Sequence, residues 1–497
     1  FGTGALVLLL DIFWLQTPRD DVPADPARPS EKSVLHFLSA LGAVIAGAIV
    51  CARLGSAGAE SQGYFYDAVR EDRFSSAMSL LIILGTVLSL LGAGDALRRR
   101  GLEHGEFHCL VLFAAGSMVL FTQSMSLIML FLSLETLSMA VYILTAYSRD
   151  EKRSVEGALK YFILGSLSAA FLLLGLAFIY GATRRTNLTE IAAIIQESPA
   201  SIDQPLLLVG LGLTLIGLAF KIGAFPFHAW VPDAYEGALS IVTGFMAVTV
   251  KAASFAVLLR LGLVFGSVPG SGLEEAPVRE TLITAVSVLA VLTMIFGNLV
   301  AVVQTSVKRM LAYSAIAHTG YLLVGVAATL ETRGTPDAAA ASVLFYLFPY
   351  SLMSLGAFAC LSHLGQGSAD REKFESYRGL SHRHPGVAFG LLVFMASFVG
   401  IPPTAGFWGK LFLFRQAIDA GHWTLALVGI ITSVISAYYY LGLVVAMYMR
   451  PAEDLGPPTL ESRTTGALAI GIAIVAVILV GLFPDVFLKL SSEWALR

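Results

Sequence analysis

Charge is scarce in this sequence: Asp, Glu, Lys and Arg make up 13% of its 497 residues, about half of what a soluble domain carries. Cysteine is scarcer. Cys51, Cys109 and Cys360 stand far apart, with no CxxC pair and no nearby histidine. The spacings of iron–sulfur, haem-attachment and zinc sites are therefore missing, and no cofactor is expected in this chain. The alternation of an outer-membrane barrel is absent as well. The nearest approach to a nucleotide-binding glycine loop, Gly210-Leu211-Gly212 through Gly217, lies inside an apolar run. There glycine serves close helix packing rather than phosphate binding. With a net charge of −3, no nucleic-acid partner is expected.

What the chain has is hydrocarbon. It is 56% hydrophobic, with a mean hydropathy of +0.76. Apolar runs of roughly 20 residues, each long enough to cross a bilayer, recur along its whole length. The expected class is an all-α polytopic membrane protein with the lipid bilayer as solvent. Fourteen spans are expected near 1–16, 34–52, 75–94, 107–122, 124–147, 157–183, 205–235, 239–263, 280–304, 310–330, 338–364, 385–416, 422–449 and 464–488. The run from Ala5 to Leu15 reads as the end of a span, as if the numbering began inside a longer chain. No cleavable signal is visible.

Basic residues gather in the loops after odd-numbered spans: Arg98, Arg99, Arg100, Arg149, Lys152, Arg153, Lys308, Arg309, Arg371, Lys373, Arg378 and Arg383. The other loops hold few, among them Arg184, Arg185, Arg279 and Arg333. The positive-inside bias puts the odd-to-even loops in the cytoplasm and both ends of the chain outside.

Two spans are interrupted. In the seventh, Leu206–Phe220 runs into Gly223-Ala224-Phe225-Pro226-Phe227-His228; in the twelfth, Leu391–Val399 runs into Gly400-Ile401-Pro402-Pro403-Thr404-Ala405-Gly406. Glycine and proline together should break both helices inside the membrane. Irregular backbone at that depth must be buried in protein or line a wet cavity. The two breaks occupy matching places if spans four to eight repeat as nine to thirteen, and paired broken helices mark transporters built from inverted repeats. The expected divisions are 1–106 (spans 1–3), 107–263 and 280–449 (two five-span repeats), and 464–497 (span 14).

Into this apolar background are set Lys160, Lys221, Lys251, Lys410, Glu135 and His318. An ammonium at mid-bilayer costs roughly 2.5 kcal/mol or more on insertion scales, so such residues read as functional. Glu135 needs a cation, and Lys221 on the broken seventh span is the natural partner; the rival reading is a static pair that locks two helices. At an effective dielectric of ~20, unit charges about 4 Å apart interact by roughly 4 kcal/mol. Pair distance alone can then decide whether a lysine keeps its proton, which makes Lys221 and Lys251 candidate proton carriers. His318 can accept on one ring nitrogen and donate from the other, as a relay requires; a packed core histidine is the alternative. Lys410, beyond the second break, suits a terminal group unless it snorkels to the headgroups. Lys160 is the lesser candidate, four residues after Glu156 and explicable as a helical ion pair. Asp11 and Arg260 fall near span ends and read as interfacial. His228 and Asp233 read as capping groups as readily as proton carriers, and Tyr438-Tyr439-Tyr440 as packing or an aromatic belt.

Several strings together resemble the antiporter-like membrane subunits of respiratory complex I, and within them the N type. They are Leu132 through Ser138 around Glu135, Glu156 through Phe162, and Phe220-Lys221 through His228 to Gly237. Val242 to Lys251, Lys308 to His318, Gly406 to Lys410 and Ser436 to Tyr440 complete the set, beyond roughly the first hundred residues. Lys410 discriminates, because the sister type lettered M typically carries glutamate there. The resemblance implies fourteen helices with two inverted five-helix repeats and broken helices 7 and 12. It implies Glu135 and Lys221 as a coupling pair, Lys251 and His318 as the central relay, and Lys410 as the exit group. It also implies proton translocation in a bacterial cytoplasmic membrane, beside antiporter-like sister subunits and small membrane subunits. Flavin, iron–sulfur clusters and quinone would sit in partner subunits. One departure stands out: Leu239-Ser240-Ile241 occupies a place where the family commonly has prolines, so the bend into span eight is expected to differ. Two rivals remain at this point, a subunit of a multisubunit Na+/H+ antiporter without redox coupling and a scaffold with fossil lysines.

Overall fold

The computed structural model describes residues 1–14, 33–55, 61–197, 202–266, 277–331, 336–365, 373–451 and 465–495. Arg333, Arg371 and the tail of the first expected span, positions 15 and 16, lie outside them. In chain order the elements are α1 (Gly2–Trp14), α2 (Ser33–Gly55), β1 (Gln62–Tyr64), β2 (Val69–Glu71), α3 (Arg73–Arg99) and α4 (Gly105–Gln123). Next come α5 (Leu127–Thr145), α6 (Lys152–Thr183), α7 (Leu188–Glu197), α8 (Gln204–Ile222), α9 (Trp230–Gly237), α10 (Ser240–Phe245) and α11 (Lys251–Gly266). Then follow α12 (Pro277–Val302), α13 (Val307–Thr329), α14 (Pro336–His363), α15 (Leu380–Arg383) and α16 (Pro385–Val399). The chain closes with α17 (Ala405–Asp419), α18 (Trp423–Met449), α19 (Thr465–Leu482) and α20 (Pro484–Trp494).

Twelve of these helical stretches are long and apolar enough to span a bilayer. The other two expected spans are α1 and the broken pair α16–α17, so each of the fourteen has its counterpart. Helices satisfy every backbone donor within the segment, which is why runs of this composition have no other way to cross lipid. Spans seven and eight are each built from two helices: α8 with α9, and α10 with α11, the latter joined by one π-helical turn over Met246–Val250. The β1–β2 hairpin, the amphipathic helix α7, the short helix α15 and the terminal helix α20 escaped the sequence reading.

Loop contacts test the assignment of sides. The 124–126 turn bonds to the hairpin through Met125 N to Ala68 O (2.9 Å), and to the 186–188 turn through Leu127 N to Thr186 O (2.8 Å). Those three loops share one parity. On the other parity, Ser306 bridges Lys373, and Gly379 N donates to Ala446 O at the end of α18. Each set keeps to one face, as fourteen alternating spans require.

Both breaks have the same local form. At the end of α8, Gly223 takes φ +70°, and Ala224 N donates back to Ala219 O (2.9 Å). At the end of α16, Gly400 takes φ +89°, and Ile401 N donates back to Ala396 O (3.1 Å). A left-handed residue closing a six-to-one bond is the Schellman termination, and glycine adopts it without a Cβ penalty. A cis X–Pro bond follows each, at Phe225–Pro226 and Pro402–Pro403.

The bend into span eight forms without the prolines. Ala238 is extended, and Lys308 Nζ donates to Glu236 O (3.0 Å) and Ala238 O (2.5 Å). Gly237 lies flat on α6, where an added Cβ would meet Arg153 O at 2.4 Å. The glycine run of α8 does pack tightly, Gly210 against Ile179 and Gly217 against Leu172 of α6. The buried centre of the molecule is α10–α11 with α13 and α14, and the relay candidates Lys251 and His318 stand on two of these.

Candidate proton-relay site

Burial separates the four lysines. Lys221, Lys251 and Lys410 are 3%, 3% and 6% exposed, and His318 is 1% exposed. Lys160 is different: its side chain is 45% exposed and paired with Glu156 (2.7 Å) and Asp233 (2.8 Å). Asp233 also pairs with Arg309, which in turn pairs with Glu236, so one ionic lattice ties α6, α9 and α13. Asp233 thus joins helices rather than capping a half-helix.

Lys221 ends the α8 half-helix. Its ammonium donates to Ser138 Oγ (2.7 Å) and Tyr142 Oη (3.2 Å), with the Tyr142 ring centroid at 5.1 Å. Glu135 is half-buried, and its Oε1 is enclosed without a hydrogen-bond partner. Among the described residues no ion pair joins Glu135 to Lys221. Ser138 lies three residues further along the same helical face and takes the ammonium instead. The static-pair reading therefore does not describe this conformation.

The end of α8 is wired to the centre. Thr319 Oγ1 donates to Ile222 O (2.7 Å) and approaches Ala315 O (3.2 Å). Ala315 O also accepts from Lys251 Nζ (2.6 Å), whose second partner is Tyr350 Oη (3.0 Å). The π-turn stands immediately before Lys251; such single-turn widenings recur at functional sites. The Tyr350 ring lies 5.2 Å from the His318 ring. His318 has a tyrosine hydroxyl at each nitrogen: Tyr346 Oη at 2.6 Å from Nδ1 and Tyr440 Oη at 3.2 Å from Nε2. Tyr440 is also hydrogen-bonded to Ser314 Oγ. Tyr439 Oη donates to Asn298 Oδ1 (3.0 Å), and Asn298 Nδ2 donates to Tyr321 Oη (3.1 Å).

Lys410 does not snorkel. Its ammonium donates to Phe398 O (2.7 Å) and Val399 O (3.1 Å), the open carbonyls of the broken α16, and to Ser433 Oγ (2.7 Å). A cation at a helix C-terminus also complements the dipole there. Phe398 packs on the His318 ring at 5.3 Å, so Lys410 and His318 meet at the second break.

The tyrosine triplet needs correction. Tyr438 is 71% exposed, but Tyr439 and Tyr440 are buried and place their hydroxyls in the site. On a helix, consecutive residues point about 100° apart, so one string serves lipid and interior together. Tyr346 and Tyr350, one turn apart on α14, were also missed; nothing in an apolar run distinguishes a tyrosine that packs from one that binds. Asp11 and Arg260, near span ends as expected, are buried within the protein. Asp11 accepts from Gly105 N (2.7 Å), and Arg260 pairs with Asp72 (2.9 Å), because neighbouring helices wrap those span ends. His228 stacks between Phe225 and Phe296 at 5.4 and 4.5 Å. Among the described residues no group of three or more His, Cys, Asp or Glu could hold a metal ion.

A family model described as NADH:quinone oxidoreductase/Mrp antiporter, TM, matches residues 124–436. The chain is 39% identical over 495 residues to NADH-quinone oxidoreductase subunit N 1 of Herpetosiphon aurantiacus, covering 99% of this chain and 94% of that one. It is 42% identical over 498 residues to NADH-quinone oxidoreductase subunit N 1 of Sorangium cellulosum, covering 98% and 95%. The likeness therefore includes the first hundred residues, where no titratable motif had revealed it. Among solved structures, a chain of respiratory complex I from Thermus thermophilus with bound aureothin aligns at TM-score 0.78 with 33% identity, covering 99% of this chain and 98% of that one. A chain of the Mrp complex from Dietzia sp. aligns at TM-score 0.75 with 20% identity, covering 99% and 96%, a likeness of fold alone. Matched along nearly its whole length, the chain belongs to the subunit N family of NADH-quinone oxidoreductases.

Proposed function

We propose that the chain moves protons across a bacterial cytoplasmic membrane as a subunit of an energy-converting NADH–quinone oxidoreductase. The observation that carries this reading is the enclosed row Lys221, Lys251, His318 and Lys410, linked through Thr319, Ala315 O, Tyr350 and Phe398. Three ammonium groups and an imidazole in hydrocarbon are too costly to keep for packing. Residues 107–263 and 280–449 act as two repeats of inverted topology, each contributing one broken helix. Partner subunits, including antiporter-like sisters and small membrane subunits, hold the flavin, the clusters and the quinone.

Quinone reduction elsewhere changes the charge felt at Glu135. With Lys221 on Ser138 and Tyr142, the pair is in its separated arrangement. Approach of Glu135 holds a proton on Lys221, and withdrawal releases it toward Lys251, His318 and Lys410. In assembled complex reconstituted into liposomes, Glu135→Ala and Lys221→Ala should each cut NADH-driven proton uptake several-fold. Full uptake by both variants would refute their role. Sodium-dependent exchange without NADH oxidation would favour the antiporter reading.

A further inference from the structure

Lys221 stands between two sets of acceptors on one helix. Glu135, Ser138 and Tyr142 fall at i, i+3 and i+7 of α5, on one face. The ammonium lies on the last two, 2.7 Å from Ser138 Oγ and 3.2 Å from Tyr142 Oη. Glu135 Oε1, a turn earlier, is enclosed and accepts from no donor among the described residues. A lysine beside a carboxylate in hydrocarbon pairs with it by default, so something must hold the ammonium where it is.

That hold is built from α5, α6 and α9. The Ser138 hydroxyl donates to Leu134 O of its own helix, which leaves its oxygen to accept from Lys221. The Tyr142 hydroxyl sits in a cradle made by Gly165 of α6, where an added Cβ would stand 2.0 Å from Oη. The Tyr161 ring, also from α6, faces Nζ with its centroid at 5.6 Å and stands at 87° to the Tyr142 ring. Tyr161 is fixed by stacking on Trp230 of α9, with centroids 3.9 Å apart and planes 5° from parallel. Trp230 Nε1 in turn donates to Phe220 O in the last turn of α8. Two hydrogen bonds from a charged donor and a desolvated ring face together rival one ion pair.

We propose that Ser138 and Tyr142 are positioning residues that form a second station for the Lys221 ammonium, in competition with Glu135. The proposal rests on Glu135 and Lys221 being a coupling pair, and it adds what the lysine holds when the carboxylate lets go. Without such a station a withdrawn ammonium would face hydrocarbon, and the pair would stay closed. With it the two arrangements lie close in free energy, so a modest change of charge near Glu135 moves the lysine from one to the other.

The test locates Lys221 by cryo-electron microscopy of assembled complex and reads the ratio of protons taken up to NADH oxidised in sealed liposomes. In wild type the side chain should lie on Ser138 and Tyr142. Ser138→Ala/Tyr142→Phe keeps the rings and removes both hydroxyls; it should move Lys221 onto Glu135 and lower the ratio several-fold. If that variant fails to assemble, Ser138→Ala alone decides. It should shift occupancy toward Glu135 about tenfold, the weight of one hydrogen bond to a charged group. Thr136→Ala, on the exposed side of α5 with its hydroxyl bonded to Leu132 O, should change neither reading. A wild-type lysine paired with Glu135 overturns the proposal. So does a variant lysine that keeps its place or turns elsewhere, or one that moves onto Glu135 with the ratio unchanged. Normal proton uptake by Lys221→Ala would instead sink the coupling-pair reading, wherever the wild-type side chain lies.

Discussion

An ammonium has three N–H donors, and at Lys410 the open end of α16 takes two of them and Ser433 the third. When the group gives up a proton, the remaining amine still donates to both carbonyls. The Ser433 hydroxyl then turns to donate into the new lone pair. Proton exchange therefore needs one hydroxyl rotation and no rearrangement of the half-helix. Ser433→Ala should slow NADH-driven proton uptake several-fold while changing stability by no more than about 1 kcal/mol. Lys410→Met should also destabilise, by about 1–3 kcal/mol for each carbonyl left unmade, read as a lower Tm of the assembled complex. The charged members of this site were legible in the sequence because charge in hydrocarbon is conspicuous. Tyr346, Tyr350, Tyr439 and Tyr440 were not, since their hydroxyls declare a role only once a partner is seen. Lys160, the lesser candidate, keeps the Glu156 ion pair that its spacing offered and adds a second partner, Asp233, that its spacing could not show.

At the scale of elements, the breaks carry the design. Glycine and proline announced both, but not how the freed carbonyls are satisfied. Trp230 Nε1 donates to Phe220 O (3.0 Å) and Thr319 to Ile222 O in the first break; Lys410 does this in the second. The halves of span twelve touch so closely that a Cβ on Gly406 would lie 1.9 Å from Ser397 O. Gly406→Ala should therefore cost about 1–3 kcal/mol or more and reduce the yield of assembled complex. Gly212→Ala, with nothing within 4 Å, should be silent by the same assays. The hairpin, α7 and α20 left little trace in the sequence. Short or interfacial elements lack the long apolar run that reveals a span, and their form comes from loops bonded to one another.

For the whole molecule, the parity of loop contacts agrees with the basic-residue bias and assigns two faces. Tyr66 in the hairpin is fully exposed, and the Arg149 side chain is 82% exposed on the opposite face. In a Cys51→Ser background, Tyr66→Cys should react with a membrane-impermeant maleimide from outside the cell. Arg149→Cys should react only in inverted vesicles. Labelling of both from one side would overturn the topology. The central claim is that the enclosed row conducts protons as one path, and Lys251 stands at its middle, joined to the α8 end through Ala315 O and to His318 past Tyr350. The most direct test is the ratio of protons taken up to NADH oxidised by assembled Lys251→Ala complex in sealed liposomes. The account predicts a several-fold loss of proton uptake with assembly intact; wild-type uptake and an unchanged ratio would contradict it.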